Sequence, residues 1–238
     1  MRQTSTFAVS EGADKGRPDF MEAAAREARA FARLATLLPL DLGQIVPDGM
    51  REGDDVVVLV HGALATAGAW RPLRQRLMSE GVHSASFTYK PSAGVVAISD
   101  GVARILNRLP PRVRVCLVGH SLGGLAVRWF VQEAGGDSRI VGTVTVATPF
   151  GGARGASLLP GQAGRDMCRG SPVLERLFAS AHSAGLPHLS IFGDADTAVS
   201  EHTVYPIGDR LVVRGAGHNA LLFHDDVADS ILARLKRT

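Results

Sequence analysis

The chain has 238 residues, 45% of them hydrophobic and 21% charged, which is the composition of one globular domain with a core large enough for a sheet covered on both faces. Its formal net charge is +3 and its basic residues are scattered, so we expect no nucleic-acid partner. It has neither an apolar signal segment near its first residue nor an apolar run long enough to span a membrane, so we expect a cytoplasmic location, with secretion left open.

The N-terminal region is predicted to be separate from the sheet. Residues 1–18 are polar and should form a mobile tail, and residues 19–54 should form a helix and a connector. Asp19 starts a capping-box-like pattern, and apolar side chains at helical spacing predict a helix from residue 20 to about residue 38. The predicted apolar stripe consists of Phe20, Ala24, Ala28, Phe31, Leu34, Ala35 and Leu38.

Two interpretations of this helix stay open. We favour a helix that packs at the edge of the domain, with its charged residues facing water. The alternative is weak contact of residues 20–38 with a membrane surface. The polar face mixes positive and negative side chains, and this mixture disfavours the membrane interpretation.

The rest of the chain, residues 55–238, alternates strand patterns with helix patterns. The β-branched run 55–60 (DVVVLV) is typical of a strand buried on both faces of a parallel sheet. The six predicted strands are residues 55–60, 84–89, 115–118, 140–146, 189–192 and 210–213. We therefore predict an α/β fold, with a doubly wound, mostly parallel six-stranded sheet and helices on both faces. Within it, residues 151–187 should form a small irregular cap or loop region with one helix near 172–181.

The segment around Ser121 carries the strongest functional signal. An apolar strand runs into Gly119-His120-Ser121-Leu122-Gly123, and a helical pattern follows. Such a turn presents a serine hydroxyl above the sheet, and its glycines are needed because side chains there would collide with neighbouring backbone. The serine would also lie at a helix N-terminus, where N–H groups favour a developing negative charge. We interpret Ser121 as a catalytic nucleophile.

A serine hydroxyl needs a base and an acid to become reactive. Among the eight histidines, His218 follows the last strand in a glycine-rich loop, from which a base would reach the serine. His61 and His120 are interpreted as structural, and the remaining histidines lack this context. Asp194 and Asp196 both follow the preceding strand, and their spacing does not separate them as the acid.

The chain resembles the bacterial lipase and esterase branch of the α/β-hydrolase superfamily over about residues 55–236. The resembling motifs are the strand and HG-x oxyanion turn VVVLVHGALATAGAW, the elbow VRVCLVGHSLGGLAVRWF, the loop VTVATPFGGARGA, the acid motif LSIFGDADTAVS and the histidine motif GAGHNALLF. The resemblance implies a triad of Ser121, Asp196 and His218 in the family's chain order. It implies that the N–H groups of Ala63 and Leu122 bind the oxyanion. The N-terminal extension and residues 151–187 depart from the family pattern.

These residues favour a serine ester hydrolase, a lipase or carboxylesterase that acts on a small ester or lipid without a cofactor or a metal. Acyl transfer or perhydrolysis on the same triad is the first alternative, and a catalytically silent binding scaffold is the second. The segment 151–171 is short and glycine-rich, with Leu158, Leu159 and Met167 as its main large apolar residues. We therefore expect an accessible pocket with a small apolar rim, no multi-helix lid, and a preference for short to medium acyl chains.

Overall fold

The structure is a computed structural model that describes residues 7–9, 20–199 and 205–236. An eight-stranded sheet lies at the centre of these residues. Its strands are β1 (Phe7–Val9), β2 (Gln44–Ile45), β3 (Asp55–Val60), β4 (His83–Phe87), β5 (Arg114–His120), β6 (Ile140–Val146), β7 (His188–Gly193) and β8 (Asp209–Val213). They lie in the order β1-β8-β7-β6-β5-β3-β4-β2, and every neighbouring pair is parallel except β2 with β4. The predicted α/β class with a mostly parallel sheet is confirmed.

Helices cover both faces of this sheet. In the described residues they are α1 (Phe20–Leu37), α2 (Arg71–Ser79), α3 (Val95–Leu106), α4 (Leu122–Gln132), α5 (Gly161–Met167), α6 (Pro172–Ala179) and α7 (Asp225–Lys236), with short 3-10 helices at Ala67–Trp70, Ala156–Leu158 and Ala220–Phe223. Alternate residues of β3 enter opposite cores: Val56, Val58 and Val60 pack in the cluster that contains α3 and α4. Val57 and Leu59 pack in the cluster that contains α2 and α7. Each such buried side chain stabilises the fold by about 1.5–3 kcal/mol.

The predicted count of six strands is corrected to eight. All six predicted strands are present, with ends that differ by at most two residues. The two additional strands, β1 and β2, have three and two residues, which is too short to show an apolar alternation in the sequence. β1 lies within the predicted tail 1–18 and pairs with β8, whereas the other residues of that tail lie outside the described part of the chain.

The cap region 151–187 is more helical than predicted. The helix expected near 172–181 is present as α6, but α5 was not predicted because Gly161 and Gly164 lower its helix propensity. Tertiary contacts explain α5: the Asp166 carboxylate accepts a hydrogen bond from the Val95 N–H, at the start of α3, at 2.7 Å. The Gln162 N–H also donates to the carbonyl of Ser92 at 3.1 Å. A docked helix therefore replaces the expected irregular loop.

The helix α1 is present as predicted, but of its predicted apolar stripe only Leu34 is fully buried. The buried residues are Ala23, Ala30 and Leu34, whereas Phe20 and Phe31 are 76% and 64% exposed. The same side of the helix carries Glu27, whose carboxylate accepts hydrogen bonds from N–H groups of the loop after β8. Among the helices of the described residues, none combines the length and the hydropathy that a membrane span requires.

Candidate active site

Ser121 occupies a strained turn between β5 and α4. Its φ and ψ are 51° and −121°, a backbone conformation that costs a non-glycine residue roughly 1–3 kcal/mol. Its N–H donates to the carbonyl of Val146 at 2.9 Å, which holds the turn against β6. A Cβ atom at Gly119 would collide with the backbone of Gly123, and a Cβ atom at Gly123 would collide with the backbone oxygens at the end of β3. The two glycines therefore permit the turn, as the sequence predicts.

Two backbone N–H groups lie beside Ser121 without an acceptor. Leu122 is the first residue of α4, so its N–H is one of the orphan donors of a helix N-terminus. The N–H of Ala63 has no acceptor among the described residues. The turn that contains Ala63 adjoins the serine, since a Cβ atom at Gly62 would lie 3.2 Å from the Ser121 Cβ. Such a donor pair can stabilise an oxyanion formed at Ser121.

The structure joins His218 to Asp196 and not to Asp194. The Asp196 Oδ2 atom accepts a hydrogen bond from the His218 Nδ1–H at 2.8 Å, and the aspartate side chain is 2% exposed. Its Oδ1 atom accepts from the N–H groups of Ala198 and Val199 at 2.8 and 2.9 Å, which fixes the carboxylate. Asp194 instead accepts from the Gly215 N–H at 2.6 Å and ties the loop after β7 to the loop after β8.

Ser121 and His218 line the same cavity, but no hydrogen bond joins the Ser121 hydroxyl to the His218 ring. The Asp196 contact leaves Nδ1 of His218 as the donor, so Nε2 is the basic nitrogen of the neutral ring. Contacts between a nucleophile and its base are often long in a free enzyme and shorten when substrate binds. The arrangement therefore places a serine hydroxyl, a histidine ring and a buried carboxylate around one cavity.

Two further histidines brace the site in their neutral form. His120 donates its Nε2–H to the carbonyl of His218 at 3.0 Å. Burial and, to a smaller extent, the charge on His218 together lower the pKa of His120 to about 3. His61 donates its Nδ1–H to the carbonyl of Gly62 at 2.8 Å, and burial lowers the pKa of His61 to about 4. Both contacts agree with the structural roles expected from the sequence; His202 lies outside the described residues.

The neutral His120 predicts that the fold is sensitive to acid. Its folded-state pKa of about 3 lies below the value of about 6.5 for an unfolded chain, so the unfolded chain binds more protons between these values. Stability therefore falls as the pH drops from about 6.5 towards 3, and the loss between pH 7 and pH 5 is about 2 kcal/mol. Urea unfolding should show a pH-dependent loss that is smaller by about this amount in His120→Asn. Equal losses in both proteins would contradict the neutral assignment.

A cavity of about 350 Å³ lies over Ser121 and His218. Its walls are mostly apolar and come from five parts of the fold. They are α1 and the residue after it (Phe31, Leu34, Ala35 and Leu38), the turn after β3 (Gly62, Ala63, Leu64 and Ala65), the cap (Ala153, Arg154, Leu159 and Met167), the end of β5 with the serine turn (His120 and Ser121), and the loops after β7 and β8 (Ala198, His218, Asn219 and Leu222). Leu159 and Met167 belong to the expected apolar rim, whereas Leu158 is 88% exposed and does not line the cavity.

Sequence reasoning missed the contribution of α1 to this wall. The sequence predicts a helix packed at the edge of the domain, but no local pattern shows which part of the fold a helix covers. The signal available in the sequence was Glu27, an acidic residue three positions after Ala24 and four before Phe31, and therefore on the side of the predicted apolar stripe. Within the described part of the chain, no group of three or more His, Cys, Asp or Glu side chains is arranged to hold a metal ion.

Comparisons with known proteins identify a shared architecture. No family model and no curated protein matches the sequence. Among solved structures, the mature lipase of Bacillus licheniformis superposes with a TM-score of 0.65 at 14% identity, over 81% of this chain and 97% of that one. The monoacylglycerol lipase of Paleococcus ferrophilus superposes with a TM-score of 0.61 at 17% identity, over 82% and 100% of the two chains. A bromoperoxidase from Bacillus anthracis gives 0.59 at 17% identity, over 78% and 93%. At these identities the likeness shows a common fold.

Proposed function

Because the chain has the α/β-hydrolase fold, we propose that it is a serine hydrolase that cleaves carboxylic esters through an acyl-enzyme on Ser121. The observation that carries the proposal is the hydrogen bond from His218 to Asp196 at the cavity where the strained Ser121 turn opens. An ordinary serine at a strand end requires neither a strained backbone nor a histidine oriented by a buried acid. Lipases and an esterase among the structural neighbours support the same reaction class.

Acylation uses Ser121, His218, Asp196 and the two backbone N–H groups together. The Ser121 Oγ attacks the ester carbonyl carbon while Nε2 of His218 takes its proton, and Asp196 stabilises the imidazolium that forms. The carbonyl oxygen becomes an oxyanion and accepts hydrogen bonds from the N–H groups of Ala63 and Leu122. His218 then gives its proton to the leaving alkoxide oxygen, the C–O bond breaks, and the acyl group remains on Ser121.

Deacylation follows the same steps with water as the nucleophile. His218 takes a proton from a water molecule, whose oxygen attacks the acyl carbon, and the same two N–H groups hold the second oxyanion. The proton then passes to the Ser121 oxygen as the acid product leaves. His218 returns to its neutral form, in which Asp196 again holds Nδ1–H.

The cavity supports an acyl chain of short to medium length as the apolar part of the substrate. Its volume of about 350 Å³ is near the lower end of small-molecule sites, and its walls are mostly apolar. Ala35 of α1 is exposed and lines this cavity, whereas Ala32, also exposed, does not line it. This pair of alanines allows the acyl wall to be tested on one helix.

A series of p-nitrophenyl esters tests the proposal. We expect the highest kcat/KM for short to medium chains, and we expect Ala35→Trp to lower kcat/KM for the longest well-cleaved ester about tenfold relative to the acetate. The added indole would occupy space that the distal acyl carbons require. Ala32→Trp is the matched control and should leave the chain-length profile unchanged. An identical profile in Ala35→Trp and wild type would remove α1 from the acyl wall.

The same assay separates the alternatives. If a fluorophosphonate labels Ser121 but the acyl group passes mainly to an added alcohol or peroxide, the chain is a transferase or perhydrolase. A protein that is neither labelled nor active on any ester of the series would be a binding scaffold. Both stay predictions from the sequence, and ester hydrolysis is the reaction that the site supports best.

A further inference from the structure

The carboxylate of Glu27 on α1 binds the residues that directly follow His218. Its Oε1 atom accepts from the Asn219 N–H at 2.9 Å and from the Asn219 side-chain amide at 2.7 Å. Its Oε2 atom accepts from the Ala220 N–H at 3.0 Å and lies 3.1 Å from the Asn219 nitrogen. Glu27 and Asn219 are 192 residues apart, so the contact is produced by the tertiary structure and not by local capping.

Among the described residues, Glu27 is the acceptor for the N–H groups of both Asn219 and Ala220. Asn219 precedes the 3-10 helix Ala220–Phe223, and its own side chain makes no capping hydrogen bond there. Orphan N–H groups at the start of a helix require an acceptor, and a carboxylate is the acceptor that their partial positive charge favours. Hydrogen bonds to an ionised acceptor are roughly twice as strong as neutral ones. Glu27 therefore provides, from another part of the chain, the anchor that the loop itself does not provide.

The peptide unit between His218 and Asn219 is held at both of its polar atoms. Its carbonyl oxygen accepts the Nε2–H of His120 at 3.0 Å, and its N–H donates to Glu27. The His218 ring is held separately by Asp196. A rotation of this peptide would therefore break hydrogen bonds on two sides, and it would also move the imidazole relative to Ser121.

The neighbouring residues are shaped for this contact. A Cβ atom at Gly217 would collide with the Glu27 carboxylate, so the glycine leaves room for it. A second contact also docks α1 here: the guanidinium of Arg33 lies over the Phe223 ring, 4.6 Å from its centroid. The Glu27 contact is thus additional to the packing that holds α1.

We propose that Glu27 is a positioning residue for His218, which makes α1 part of the machinery for proton transfer. The inference rests on the proposed hydrolase function and extends it to a helix outside the region that resembles the α/β-hydrolases. Glu27 does not touch the reacting atoms. It acts through the Asn219 peptide, which determines where Nε2 of His218 lies when Ser121 is deprotonated.

Glu27→Gln tests the proposal because the side-chain amide turns its NH₂ group towards the N–H donors of the loop. We expect kcat per active site to fall about 10–100-fold, with KM changed by less than about threefold, since the cavity walls remain in place. Active sites are counted by the final extent of fluorophosphonate labelling. Glu27→Asp retains the charge but is one methylene too short to reach all the donors, and its kcat should lie between those of Glu27→Gln and wild type.

Two control variants separate positioning from anchoring. Glu22→Gln alters an exposed carboxylate of α1 whose ion pair is with Arg26, and it should leave kcat and Tm unchanged. Ala30→Gly weakens the buried face of α1, so it should lower Tm and leave kcat per labelled site unchanged. If Glu27→Gln, like Ala30→Gly, lowers Tm and leaves kcat per labelled site unchanged, the inference is overturned, because Glu27 would then only anchor the helix.

The remaining outcomes are also decisive. Where Glu27→Gln does not fold, Glu27→Asp decides, and an unchanged kcat per labelled site in that variant overturns the positioning role. Where wild type hydrolyses esters, only the role of Glu27 is in question. A wild-type protein that neither takes the label on Ser121 nor hydrolyses an ester would overturn the proposed function and this inference with it.

Discussion

Ser121→Ala is expected to lower kcat for ester hydrolysis by a factor on the order of 10⁶. Removal of the hydroxyl abolishes the acyl-enzyme route, and only binding and the N–H groups of Ala63 and Leu122 would remain to assist direct attack by water. The turn itself should persist, because Gly119 and Gly123 supply the space that it requires. Alanine at this position keeps the positive φ of the native turn, so the fold should change little.

The measurement combines p-nitrophenyl ester hydrolysis with fluorophosphonate labelling and mass mapping of the labelled residue. Ser99→Ala is the matched control: the Ser99 hydroxyl is buried in α3 and has no hydrogen-bond partner within the described ranges, so its removal should leave kcat within about twofold. Label on a serine other than Ser121, or ester hydrolysis that persists in Ser121→Ala, would show that another residue is the nucleophile.

Asp196→Asn is expected to lower kcat by roughly 10³–10⁴, whereas Asp194→Asn should lower it far less. The amide at position 196 would favour the wrong tautomer of His218 and would remove the charge that stabilises the imidazolium. Asp194 has a different task, since it accepts one hydrogen bond from the Gly215 N–H. An asparagine oxygen can accept that hydrogen bond as well, so the loop contact should survive in Asp194→Asn.

The paired variants are informative because they differ in position and not in chemistry. Both substitutions remove one negative charge from the same loop, so a general electrostatic effect would lower kcat equally in the two variants. Circular dichroism and Tm establish that both variants are folded. The reverse ranking would identify Asp194 as the acid, and equal moderate losses would show that either carboxylate can serve His218.

Strands and the serine turn could be predicted because their causes are local. A β-branched run such as 55–60 is buried on both faces wherever it enters a parallel sheet, so its composition alone identifies it. The turn at Ser121 depends on glycines at fixed offsets from the serine, which a sequence displays directly. Conversely, β1 and β2 exist only because a longer strand offers a free edge, and short segments carry no period of their own.

The choice between Asp194 and Asp196 required the tertiary structure. The residues alone left both open, and the family resemblance pointed to Asp196 by motif position. In the folded chain the loop after β7 sends Asp196 to the His218 ring and Asp194 to the loop backbone. Two carboxylates separated by one residue have the same chemistry, so their roles differ only through the directions in which the loop turns them.

The sequence by itself determined the α/β class, the serine on its turn and the histidine after the last strand, because each follows from patterns within a few residues. The tertiary structure alone decided which face of α1 is buried, that α1 closes one wall of the cavity, and that Glu27 reaches the residues after His218. The physical reason is that these contacts join segments up to 193 residues apart. The local conformational propensity of a segment does not depend on which distant segment it will contact. The contact forms only in the folded chain, because burial of side chains and unpaired N–H donors then favours it.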